Sequence, residues 1–192
     1  MNKSNGTDIF SHSDKNLGSF TDKLGNIDLD SSYYLLVLAG PYKTGKNNLL
    51  KKLEKKIGDF QEIDLRSLIT RNEEESYEKI DKAFKFIGET EKNLILRNGD
   101  VLAGEYTGFT YSSVRYATPQ EKYLLNKIRS SEKFFVLDIQ EFENIDKTLE
   151  RHAQTIIRFD QPLGSLGKFF WKLRQITVHG HTFANKRPPA SF

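Results

Sequence analysis

The apolar run Tyr33-Tyr34-Leu35-Leu36-Val37-Leu38-Ala39 stops abruptly at Gly40-Pro41, and this constrains the fold more than any other stretch of the chain. A strand with one wet face alternates apolar and polar side chains, whereas a continuous run bounded by a turn signal reads as a strand buried on both faces of a parallel sheet. Beyond the turn, Leu49, Leu50, Leu53 and Ile57 recur at helical spacing, lysines fill the opposite face, and Gly58 offers a stop. The local order is therefore buried strand, glycine loop, amphipathic helix.

The loop itself reads Gly40-Pro41-Tyr42-Lys43-Thr44-Gly45-Lys46-Asn47. It fits the P-loop pattern G-x-x-x-x-G-K, in which backbone N–H groups and a helix N-terminus cradle phosphates and the lysine neutralises their charge. A nucleotide or other phosphate is the expected ligand, held by residues 40 to 48, with Lys46 as the central cation. The plainer alternative is a Gly-Pro turn feeding a helix that happens to carry lysine. After the lysine the pattern asks for Ser or Thr, whose hydroxyl joins a magnesium shell; here Asn47 is followed by Asn48. An amide carbonyl can coordinate a hard cation, but the NH₂ beside it is a donor and makes it an imperfect replacement. The loop is thus expected to bind nucleotide better than it supports transfer.

Further along, Phe60 to Asp64 suits a short strand. Residues 72 to 88 carry mixed signals: Glu78 with Lys82 and Asp81 with Lys85 are spaced for a helix, while alternating Phe84 and Phe86 suit a strand edge. Leu94 to Leu96 precede the turn dipeptide Asn98-Gly99. Thr118, Pro119 and Glu121 stand at the N-cap, N1 and N3 spacing of a helix running to Lys127 or Ile128. Phe134 to Ile139 is a second buried strand and Ile156 to Phe159 a third. The order predicts a doubly wound α/β fold, a parallel sheet flanked by helices with a small subdomain inserted at about 60 to 115, and with the glycine loop it is of the P-loop nucleoside triphosphate hydrolase type.

Composition narrows the chemistry. With 192 residues, the chain can bury roughly two-thirds of its unfolded surface in one core. Having no cysteine, it can hold neither thiolate metal site nor disulfide. Its four histidines have no Asp, Glu or Cys spaced to complete a metal set. No run approaches the ~18 apolar residues of a membrane span, and the first ten residues lack a signal core, so a cytoplasmic protein without a transmembrane segment is expected. The net charge of +3 is unevenly spread: residues 1 to 30 carry −2, 31 to 150 carry −1, and 151 to 192 carry +6. Residues 1 to 31 read as a polar, mobile leader, 32 to 192 as the domain, and 168 to 192 as a basic C-terminal segment.

From Leu35 to about Gln175 the chain resembles guanylate kinase. The elements that carry the resemblance are the loop at 40 to 47, Ile69-Thr70-Arg71, Asn98 to Leu102, the segment Gly104-Glu105-Tyr106-Thr107-Gly108-Phe109-Thr110-Tyr111-Ser112, and Val136-Leu137-Asp138. The resemblance implies a nucleoside monophosphate kinase using ATP and Mg2+. On that basis Lys46 and Arg71 stabilise transferred charge; Arg71, Glu105 and Tyr111 hold the acceptor, GMP being the leading candidate; and Asn47 with Asp138 stand near magnesium. Arg115 and the aromatic, basic run Lys168 to Gln175 are further candidates for the phosphate region and a lid.

The sequence also departs from that family. Glu74 stands where a second arginine is expected, Phe84 where a tyrosine is, Ala103 at the guanine-reading glutamate, and Gln140 at an acidic position. Three functions are expected in turn: phosphoryl transfer to a nucleoside monophosphate; a catalytically weak guanylate kinase-like module that binds a protein partner; and an RNA- or anionic-surface-binding protein acting through its basic end.

Overall fold

A computed structural model describes residues 2–4, 7–15, 17–24, 33–88, 93–103, 117–160 and 166. Contacts divide the chain into Met1–Phe159 and Asp160–Phe192, and the sheet with its covering helices belongs to the first unit. The strands are β1 (Asn2–Ser4), β2 (Thr7–Ser11), β3 (Tyr34–Ala39), β4 (Phe60–Asp64), β5 (Asn93–Arg97), β6 (Phe134–Ile139) and β7 (Thr155–Arg158). The helices are α1 (Leu17–Leu24), α2 (Lys43–Ile57), α3 (Glu73–Gly88), α4 (Pro119–Arg129) and α5 (Lys147–His152). The strands form one sheet in the order β1-β2-β7-β3-β6-β5-β4, parallel except for the β1–β2 pair.

The connections explain the layers. From β3 the chain runs through α2 to the far edge, β4, then steps back through β5 and β6 and passes β3 to reach β7. Right-handed crossovers taken in opposite directions place their helices on opposite faces. Accordingly Leu36, Leu38, Val136 and Ile157 pack with Leu49, Leu50 and Leu53 of α2 and Leu24 of α1. On the other face Leu35, Val37, Leu96 and Leu137 pack with Ile80 of α3, Leu124 and Ile128 of α4, and Leu149 of α5. Neighbouring residues of β3 serve both cores, which is why its sequence is apolar throughout.

Several expectations are met in detail. Gly58 ends α2 at φ 91° and its N–H reaches Glu54 O. Thr118 Oγ1 caps α4 by accepting from Glu121 N at 3.1 Å. Asn98 takes the left-handed conformation at φ 59° and turns β5 into a 3-10 turn at Gly99–Leu102. The ambiguous stretch at 72 to 88 is the helix α3: Phe84 packs toward Phe135, centroids 6.0 Å apart, while Phe86 is left exposed.

Two expectations are corrected. The described part of 60 to 115 supplies β4 and β5, so it forms the edge of the main sheet rather than an inserted subdomain. Leu94, Ile95 and Leu96 are buried against both layers, which a peripheral insertion would not require. Nor is 1 to 31 simply a mobile leader, because β2 pairs in parallel with β7 from Asp8↔Thr155 to Ser11↔Arg158. Thr7 Oγ1 is satisfied by Glu150 O at 2.6 Å and Ala153 O at 2.9 Å, and α1 covers α2, with Asp22 and Lys56 in an ion pair. Among the described residues no helix is long and apolar enough to cross a membrane.

Candidate functional site

The carboxyl ends of β3, β6 and β7 meet where α2 leaves toward one face and the chain after β6 leaves toward the other, the place where ligands settle in open α/β sheets. The glycine loop lies here. Only Gly40, Pro41 and Tyr42 separate β3 from α2. Gly40 adopts φ +119°, and a Cβ there would stand 2.7 Å from the carbonyl carbon of Phe159, so backbone conformation and crowding both demand glycine.

Lys46 is 1% exposed despite lying on the helix that follows the loop. Its Nζ donates to Asp138 Oδ1 and to Ile139 O, both at 2.6 Å. Asp138 sits opposite Leu38 on the adjacent strand, and its other oxygen accepts from Arg97 at 3.0 Å. Arg97 in turn donates to Glu62 Oε1 at 2.6 Å. A chain of alternating charge, Glu62, Arg97, Asp138, Lys46, thus crosses β4, β5 and β6 to the start of α2. Burial pushes the Lys46 pKa below its ordinary value, and Asp138 is the main influence opposing that shift. Arg97 is held above its ordinary value, chiefly by the bond to Glu62.

The loop is closed on itself. The Tyr42 N–H donates to Phe159 O at 3.1 Å, Lys43 N–H to Pro41 O at 2.9 Å and Lys46 N–H to Tyr42 O at 3.2 Å. A Cβ on Gly45 would stand 2.5 Å from the Tyr42 ring and 2.9 Å from the Phe159 ring, so these rings cover the glycine. His12, from the segment read as leader, stacks on Phe159 with centroids 5.3 Å apart and lies 5.7 Å from Tyr42. In this arrangement the Tyr42 and Lys43 amides donate to protein carbonyls, aromatic rings lie over Gly45, and the lysine is engaged below the surface. Both oxygens of Asp138 accept from cations, Lys46 and Arg97. Among the described residues no group of three or more His, Cys, Asp or Glu is placed to hold a metal ion.

Of the residues singled out from the sequence, the structure brings Lys46 and Asp138 together. Asn47, Asn48, Lys43 and Thr44 are exposed on the first turns of α2. Arg71 is exposed elsewhere, lining an open cleft of about 720 Å³ with Thr70, Val101, Thr118 and Gln120. The strands that lead to Lys46 and Arg71 are three inter-strand spacings apart, roughly 14 Å at ~4.8 Å each. Glu105, Tyr111, Arg115 and the 168 to 192 segment lie outside the described residues. Sequence reasoning missed Arg97 and Glu62, although an arginine directly after the apolar run Leu94 to Leu96 was a signal. Asp100 accepts from Gln140 N at 2.8 Å and from Glu141 N and Asn144 Nδ2, at 3.1 and 2.8 Å, and so fixes the loop after β6.

No protein-family model and no curated protein matches this sequence. Solved structures do. A chain from the complex of HORMA, CdnC and Trip13 of E. coli MS115-1 superposes with a TM-score of 0.50 at 16% identity, covering 82% of this chain and 60% of that one. The FIGL-1 AAA domain in complex with ADP gives 0.49 at 15% identity, over 75% of this chain and 48% of that one. This chain therefore spans less than two-thirds of either protein's length. The likeness is not specific to guanylate kinases; what this chain shares is a P-loop NTPase-like α/β fold, a parallel sheet flanked by helices.

Proposed function

We propose that this chain is a P-loop-fold domain that works by binding a protein partner and not by turning over nucleotide. The observation that carries this reading is the engagement of Lys46, 1% exposed, by Asp138 and Ile139. A lysine that serves phosphates must reach them; this one is consumed by the protein's own carboxylate. Asn47 in place of a hydroxyl and the rings over Gly45 support the same reading. So does the occurrence of the fold in a multi-protein assembly, the E. coli complex of HORMA, CdnC and Trip13. Calorimetry with ATP, with and without Mg2+, tests it: no saturable heat at millimolar ATP is expected for the native chain or for Lys46→Ala. Tight, magnesium-dependent binding lost in Lys46→Ala would overturn the proposal.

The second reading is guanylate kinase-like phosphoryl transfer from ATP to a nucleoside monophosphate, favoured by the cleft that Arg71 lines. It requires Lys46 to exchange Asp138 for phosphate, and Arg71 to hold the acceptor as a forked donor. Nucleotide-dependent phosphorylation of GMP, AMP, dGMP or a pyrimidine monophosphate by the purified chain would establish it.

A further inference from the structure

The outer face of α2 is built from a different set of residues than its buried face. At 100° per residue, Leu49, Leu53, Lys46, Ile57 and Leu50 fall on one arc of about 100°, which packs on the sheet. The remaining arc holds Lys43, Asn47, Lys51, Lys55, Thr44, Asn48, Lys52 and Lys56, with Glu54 as its one acid; all of these side chains are exposed. Lys51 and Lys55, like Lys52 and Lys56, are like-charge pairs at i,i+4, which weaken a helix by a few tenths of a kcal/mol each. On α3 the arrangement is the reverse: Lys79 pairs with Glu75 at 2.8 Å and Lys82 with Glu78 at 3.9 Å. Among the described residues Lys43, Lys51, Lys52 and Lys55 have no such acid, and of the lysines on this face Lys56 alone is in an ion pair, with Asp22.

We infer that this face of α2 docks on the phosphate backbone of a nucleic acid. Three classes of partner offer negative charge, and the side chains choose among them. A membrane-surface helix needs apolar or aromatic residues to enter the acyl boundary, and this arc has none. Protein interfaces bury aromatic and apolar anchors at their centre and are depleted in lysine there, whereas here lysines occupy the middle of the arc. Phosphate contacts need cations and small polar donors in a regular array, which Lys51, Lys55, Lys52, Asn47, Asn48 and Thr44 supply. Successive lysines of one row are separated by an axial rise of about 6 Å, close to twice the ~3.4 Å axial spacing of charges along one strand. The contacts are to the backbone and carry no sequence preference. Docking through this face does not depend on whether the loop binds nucleotide.

The test uses the full chain and a labelled 20-base-pair DNA duplex titrated between 50 and 200 mM salt. The native chain is expected to bind with a log–log salt slope near −0.9 per phosphate contacted, on the order of −3 for three or four contacts. In the triple variant Lys51→Gln, Lys52→Gln, Lys55→Gln, affinity at 50 mM salt should fall at least tenfold and the slope should flatten by about 2 to 3. Lys52→Glu, which places an acid four residues before Lys56 and keeps the helix well paired, should also weaken binding severalfold. Lys82→Gln with Lys85→Gln on α3 should change nothing. An unchanged slope in the triple variant, an equal loss in the α3 variant, or binding to vesicles of phosphatidylserine and phosphatidylcholine without binding to duplex would each overturn the inference.

Discussion

Lys46 Nζ lies 2.6 Å from Asp138 Oδ1, so the lysine of the glycine loop is bonded to the strand that neighbours its own. The two partners are unequal. Asp138 is 18% exposed and keeps Arg97 if the lysine is lost; Lys46 is 1% exposed and, without the carboxylate, keeps only neutral acceptors. Removing one member of a buried pair costs about 3–5 kcal/mol when it strands the other as an unpaired charge. Asp138→Asn should therefore destabilise the fold by about 3 kcal/mol, and Lys46→Met by ~1 kcal/mol or less. Urea denaturation of both variants at neutral pH measures the difference, and the reverse order would mean that the pair does not hold the lysine in place.

Gly40 and Gly45, the two glycines of the loop pattern, should differ in tolerance. Alanine at 40 meets the backbone of Phe159 at a φ of +119°, and nothing nearby can yield without moving β7. Gly40→Ala should cost more than ~2 kcal/mol. Alanine at 45 meets only side-chain atoms, the rings of half-buried Tyr42 and buried Phe159, which can turn where backbone cannot. Gly45→Ala should cost about 1 kcal/mol or less, with a change in tyrosine fluorescence. Thermal melts of the two variants check this; equal losses would mean that Tyr42 is as rigid as backbone.

A third prediction concerns pH. Glu121 on α4 is buried beside Asp146, whose Oδ1 caps α5 through Leu149 N while its Oδ2 is buried with no donor. Burial, then the Asp146 charge, push the Glu121 pKa up to about 8; Lys122, on the same helix, opposes this slightly. At neutral pH Glu121 therefore holds its proton, facing the Asp146 charge. Because the folded state holds this proton more tightly than the unfolded chain, the group's contribution is full below about pH 4.5 and is lost as pH rises through about 8. Glu121→Gln should remove that decline, worth on the order of a few kcal/mol. Stability measured by denaturant between pH 5 and 8.5 should then be flatter for the variant than for the native chain; parallel curves would rule out the retained proton.

The parts of the fold legible from sequence were those fixed locally. A seven-residue apolar run can be buried only on both faces, Thr118-Pro119 with Glu121 makes a helix start, and Asn98-Gly99 makes a turn, whatever surrounds them. Residues 73 to 88 were ambiguous because Phe84 and Phe86 alternate; the helix prevails since Ile80, Phe84 and Ile87 then share the face that packs on the sheet. Strand β2 was illegible for a different reason. Thr7 to Ser11 offers only two apolar residues, and its place in the sheet depends on β7, more than 140 positions away.

The same division holds at the site. Sequence alone determined that a glycine loop would join a buried strand to an amphipathic helix, and that its lysine would sit at the helix start. Only the tertiary structure decided what that lysine does. The strand order brings Asp138 to the residue opposite Leu38, within reach of Lys46, and Arg97 onto its second oxygen; β7 brings the Phe159 carbonyl to the Tyr42 amide. Whether a cation faces solvent or is spent on an internal carboxylate depends on which strands lie side by side, and strand adjacency is a long-range property that no local spacing encodes.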